Sequence, residues 1–97
     1  MRRNRMEPRE IIMYRISLAW EDDAGELRNQ EGRLEDRSPS GAGIAARKAI
    51  PVGTKVTIQE RGQERVGTVR HCTPDEIGYF IGIRYEPQDD KANESLA

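Results

Sequence analysis

The sequence predicts an all-β fold, a small antiparallel six-stranded β-barrel. Two segments, residues 12–20 and 77–85, alternate apolar and polar side chains with period two, the repeat of a half-buried strand. Clusters of Gly, Pro, Asp and Ser punctuate the chain at regular short intervals, as turns between strands do. No internal stretch carries a convincing amphipathic helical repeat. A sandwich satisfies the same pattern, but closing a barrel removes exposed strand edges.

The first strand is the clearest. Ile12, Tyr14, Ile16, Leu18 and Trp20 fall on one face, and Met13, Arg15, Ser17 and Ala19 on the other. Glu21 to Glu26 reads as a turn. Leu27 to Glu35 is polar and weakly patterned, with Leu34 the best inward residue; it reads as a strand near a sheet edge. Asp36-Arg37-Ser38-Pro39-Ser40-Gly41 reads as a loop, because each of these residue types except Arg favours turns. Gly43 to Ala46 is a short strand, and Ile50 to Thr54 a turn whose Pro51 argues against a central strand. Val56 and Ile58 alternate with Lys55, Thr57 and Gln59, and Arg61-Gly62 signals a hairpin. Val66 to Cys72 is a strand of mixed pattern, followed by a turn at Thr73 to Glu76. The last strand puts Ile77, Tyr79, Ile81, Ile83 and Tyr85 on one face, with Gly78 and Gly82 on the other. Lys91 to Leu96 has the composition for a helical turn or two.

The 97 residues suit one domain, 1–97, with a core over about 10–86, an N-terminal segment 1–9 and a polar tail 87–97. Hydrophobic residues make up 35% of the chain, enough for one modest core. No apolar run is long enough to span a bilayer, and the basic start lacks the apolar segment of a secretion signal. The expected setting is the cytoplasm. Cys72 stands alone, which excludes an intrachain disulfide and a cysteine-based zinc site; a half-buried strand position suits it. His71 is the sole histidine and lacks a second imidazole or thiol, which argues against a metal or catalytic role.

The net charge of −1 hides an asymmetry. Residues 1–9 carry +3 and residues 86–97 carry −3. An arginine pair, Arg5 and Arg9, stands four residues apart in the Pro-broken segment Arg5-Met6-Glu7-Pro8-Arg9. With the Asp-x-Ser-x-x-Gly stretch at 36–41 it makes a matched set of hydrogen-bonding groups for an anionic, guanine-bearing ligand.

These two stretches resemble the PilZ domain family, bacterial domains that bind the second messenger cyclic di-GMP. In that family an R-x-x-x-R segment precedes the first barrel strand, and a [D/N]-x-S-x-x-G loop follows two to three dozen residues later. Val52-Gly53-Thr54-Lys55-Val56, Gly67-Thr68-Val69 and Ile81-Gly82-Ile83-Arg84-Tyr85 are similar to later family segments, so the likeness spans nearly all of residues 5–86. Glu10 departs from the pattern, being charged where the family more often turns apolar.

The resemblance implies a non-catalytic receptor that takes cyclic di-GMP as ligand and needs no cofactor or metal. It implies roles for Arg5, Arg9, Asp36, Ser38 and Gly41. An arginine fork matches guanine O6 and N7, or a phosphate, with two hydrogen bonds. An ionised Asp36 accepts from the guanine N–H edge or orients an arginine. Ser38 donates to a phosphate or base oxygen, and Gly41 lets backbone approach the ligand. Arg2, Arg3, Asn4 and Arg37 are further candidate contacts. Residues just before the first arginine influence, in the family, whether one ligand binds or a stacked pair. The N-terminal segment is expected to be flexible and to order over the ligand, passing the signal to a downstream protein effector.

Two other classes compete. One is a ligand-independent interaction module of the same fold, disfavoured by the presence of both motifs. The other is a small nucleic-acid-binding barrel, disfavoured by the charge of −1 and by few aromatics. An enzyme lacks support: no nucleophile–base pair, metal cluster or glycine-rich phosphate loop before a helix stands out. Neither a membrane nor a nucleic-acid polymer is an expected partner.

Overall fold

A computed structural model describes residues 10–87, and side chains from residue 13 onward. They form six strands: β1 (Glu10–Glu21), β2 (Leu27–Ser38), β3 (Gly41–Ala46), β4 (Lys55–Glu60), β5 (Gln63–Pro74) and β6 (Tyr79–Tyr85). All pair antiparallel and close into a barrel in the order β1-β2-β3-β6-β5-β4. The expected all-β barrel is what forms. The expected mobility of residues 1–9 and the helical turn at 91–96 fall outside the described residues.

Period-two patterning decides which way β1 and β6 face. Ile16, Leu18, Ile81 and Ile83 are buried, while Met13, Arg15, Ser17 and Ala19 face solvent. Leu34, Ile44, Val56, Ile58 and Val69 complete the core from the other strands. Cys72 is half-buried against it. The link between β3 and β4 crosses one end of the barrel. Ile50 on that link is fully buried and plugs the opening. Gly53 N–H donates to the Val69 carbonyl at 2.8 Å and Val69 N–H to the Thr54 carbonyl at 2.9 Å, which tie the link to β5.

Three expectations are corrected. Strand β2 is not near an edge: it is paired with β1 on one side and β3 on the other, because closure leaves it no free side. Ile77 is not on the inner face of β6. It is 84% exposed in a turn where the Asp75 carboxylate accepts from the N–H groups of Ile77 (3.1 Å) and Gly78 (2.9 Å). That local cap competes successfully with strand pairing. The stretch 36–41 is mostly strand. Asp36, Arg37 and Ser38 end β2, Gly41 begins β3, and the turn proper is Pro39-Ser40. The other boundaries shift by a few residues, with Thr73 and Pro74 ending β5 instead of forming a turn.

The β4–β5 hairpin turns on Arg61 (φ 50) and Gly62 (φ 82). Two successive left-handed residues match the twist of the flanking strands. The turn also lays the Arg61 guanidinium 4.2 Å over the Tyr14 ring, a contact that offsets the strain of a non-glycine left-handed residue.

Candidate ligand-binding site

A two-residue turn keeps the motif in strand alternation, so its side chains divide between two faces. Arg37 reaches inward at the barrel end where β1 begins and β2, β4 and β6 finish. There it is ion-paired and hydrogen-bonded to Glu60, which also accepts a hydrogen bond from the Tyr14 hydroxyl. Glu60 is the one charged side chain buried among the described residues, at 5% exposure. Burial works against the charge on Arg37. Glu60, together with the phenols of Tyr14 and Tyr85, outweighs that burial and leaves the guanidinium pKa raised. Arg37 therefore anchors the motif from inside.

Burial also raises the pKa of the phenols of Tyr14 and Tyr85, and the nearby Glu60 carboxylate adds to both shifts. A phenol whose folded pKa lies above its unfolded value, 10.0, contributes stability that is complete below pH 10.0 and is lost as pH rises through the folded pKa. The thermal midpoint should hold steady up to that pH and fall above it. Tyr85→Phe should flatten the alkaline limb in a pH series of melting curves; an unchanged slope would deny the phenol this role.

Ser38 points outward and Asp36 flanks it. Register carries both across the barrel surface in rows. Ser38 is level with Gly41, Arg84 and Thr68; Asp36 is level with Gly43, Gly82 and His71. A shallow trough of about 380 Å³ lies on these rows. Ser38, Ser40 and Gly41 line one side, and Arg70, His71 and Arg84 the other. Its floor is made of glycines. At Gly41 a side chain would overlap the Ile83 carbonyl on β6, so only hydrogen lets β3 and β6 approach there. Tyr85 N–H donates to the Ser40 carbonyl at 2.8 Å, pinning the turn to β6.

Among the sequence candidates, the structure brings Ser38 and Gly41 to one trough with Asp36 beside it, and turns Arg37 into the barrel end. Arg2, Arg3, Asn4, Arg5 and Arg9 lie outside the described residues. Register nonetheless relates their segment to the motif: Glu10 is paired with Arg37 and Ile11 with Asp36. Glu60, Arg70 and Arg84 were not singled out from sequence. Phe80 had a legible signal, since it sits one residue out of phase with Tyr79 and Ile81 and must face outward.

A larger hollow of about 530 Å³ lies between Met13, Arg15, Arg33, Arg47 and Ile77. Two of its three arginines are less available to a ligand: Arg15 pairs with Glu31 at 3.5 Å and Arg33 with Glu35 at 2.7 Å. Among the described residues no group of acidic, histidine or cysteine side chains is placed to hold a metal, and no helix is long and apolar enough to cross a membrane.

A search of curated proteins finds no match to the chain. The family model described as PilZ domain matches residues 3–97, which takes in both motifs and every strand of the barrel. On that match and this architecture, the chain belongs to the PilZ domain family.

Proposed function

We propose that this protein binds cyclic di-GMP, the ligand for which PilZ domains are known, and acts as a non-catalytic receptor. Arg5 and Arg9 grip guanine or phosphate. Asp36 takes the guanine N–H edge or orients an arginine, Ser38 donates to a ligand oxygen, and Gly41 leaves room for close approach. Residues 1–9 close over the ligand as a clamp on the core of about 10–86, followed by the polar tail 87–97. Arg2, Arg3 and Asn4 extend the clamp and bear on whether one ligand binds or two.

The observation that supports this reading is the register at the start of β1. Glu10 faces Arg37 and Ile11 faces Asp36. Arg9 is thus one peptide bond from the residue opposite the motif. The register thus brings the chain that directly follows the first motif to the strand end that carries the second. Closure gives the ligand contacts that exist in one state alone, which a population shift requires. The ordered segment then offers a new surface to a cytoplasmic protein effector.

Calorimetric titration tests this directly, with GTP and cyclic GMP as controls. Saturable heat is expected for cyclic di-GMP and none for the controls. On the same complex, amide exchange should slow around residues 5–10 and 36–41 and stay unchanged in β6. Absence of binding would sink the receptor reading and leave the ligand-independent interaction module. Binding without new protection at 5–10 would remove the clamp.

A further inference from the structure

The motif supplies one side of the trough. The opposite side has a chemistry of its own, built by β5 and β6. Gly82 is level with His71, and a side chain at Gly82 would overlap the imidazole ring. The His71 ring therefore lies down over a glycine. Phe80 does the same over Gly43: its ring carbon Cε1 is 3.1 Å from where a Gly43 side chain would begin, and Asp36 Oδ1 is 3.0 Å from the same point. The two rings stack with centroids 6.0 Å apart and planes 24° from parallel. Phe80 is thus a half-buried aromatic on the outer surface, outside the core cluster, and His71 keeps an exposed face.

Two arginines flank the rings. Arg84 is level with Gly41 and Ser38. Arg70 sits where the register between β5 and β6 shifts, an irregularity of the kind that re-aims a side chain. Both are exposed, and among the described residues neither is committed to a carboxylate, unlike Arg15, Arg28, Arg33 and Arg37. From β2 to β5 is three strand spacings, about 14 Å around the surface. A ligand held at Asp36 and Ser38 that reaches this side must offer it a flat ring face and negative charge.

We propose that this second wall is a guanine-stacking and phosphate-binding subsite: His71, backed by Phe80, stacks on one base of the dinucleotide, and Arg84 with Arg70 meets a phosphate. This rests on the cyclic di-GMP reading and adds the residues that complete the site away from both motifs. The glycine floor has a purpose on this account. It lets two rings and a base lie flat against the barrel where ordinary side chains would hold them off. Stacking is tolerant of ring type, so a larger aromatic at 71 preserves it while a methyl group does not.

The test is calorimetric affinity for cyclic di-GMP in wild type, Arg9→Ala, His71→Ala, His71→Trp and Arg84→Gln, with melting curves to check that each variant folds. His71→Ala and Arg84→Gln should each weaken binding about tenfold, as expected on removing one stacked base or one phosphate partner. His71→Trp should bind at least as tightly as wild type, and its new indole should change emission on ligand addition. If wild type binds and Arg9→Ala does not, while His71→Ala and Arg84→Gln stay within twofold, the second wall is wrong and the receptor reading stands. If His71→Trp weakens binding as much as His71→Ala, the stack is wrong. If wild type itself does not bind, the receptor reading fails and takes this proposal with it. Should His71→Ala fail to fold, the Trp and Arg84 variants decide alone.

Discussion

Arg9→Ala should remove most cyclic di-GMP binding while leaving the barrel intact. Deleting a charge-assisted, two-pronged arginine interaction from a desolvated site costs about 2–5 kcal/mol, a rise in dissociation constant of roughly thirtyfold to several thousandfold. The fold should hold, because the buried core is drawn from residues between Ile16 and Tyr85. Arg9→Lys should weaken binding too, since an ammonium cannot reproduce the planar fork. Titration of both variants beside wild type checks it. Affinity unchanged in both would move the site away from the clamp.

Glu60→Ala should be the most damaging single change to stability among the polar residues. It removes the carboxylate at which the Arg37 guanidinium and the Tyr14 hydroxyl both point. Removing one partner of a buried pair costs about 3–5 kcal/mol. The lower figure applies here, because the Arg37 side chain is 31% exposed and water reaches it. For a chain of this size that lowers the thermal midpoint by roughly 12 °C or more. Glu60→Ala combined with Arg37→Met should recover much of the loss, since the charge that Glu60 balanced is then gone as well. A Glu60→Ala midpoint within a few degrees of wild type would show that the pair carries no weight. The pair also holds Arg37 inward. A one-residue slip of β2 would turn Asp36 and Ser38 into the core and Arg37 out, so the buried carboxylate helps specify which motif side chains meet solvent.

Local patterning was sufficient for the strands whose two faces differ sharply. In β1 and β6 each side chain reports its own burial, because alternate residues point to opposite sides and the apolar set falls on one of them. The same parity places Phe80 outward beside Gly82. The two motifs were readable for a related reason: their residue types declare a chemistry wherever the chain puts them. Strand β2 was harder. Its twelve residues are mostly polar, and what holds them extended is pairing with β1 and β3, which no local window contains. Ile77 misled because its apolar side chain fits the alternation, while the Asp75 cap that removes it from the strand depends on how the turn closes.

Tertiary structure alone decided the rest. Arg37 reads in the sequence as a further candidate ligand contact; its pairing with Glu60 exists only once closure brings β4 round to β1. Asp36 and His71 share a row although β3 and β6 lie between their strands. The sequence by itself determined the all-β class, the inward faces of β1 and β6, and the residue types of one side of the surface trough. The order in which the strands pair determined its other side, because neighbours across a sheet are chosen by closure and register, and neither is written in any single strand.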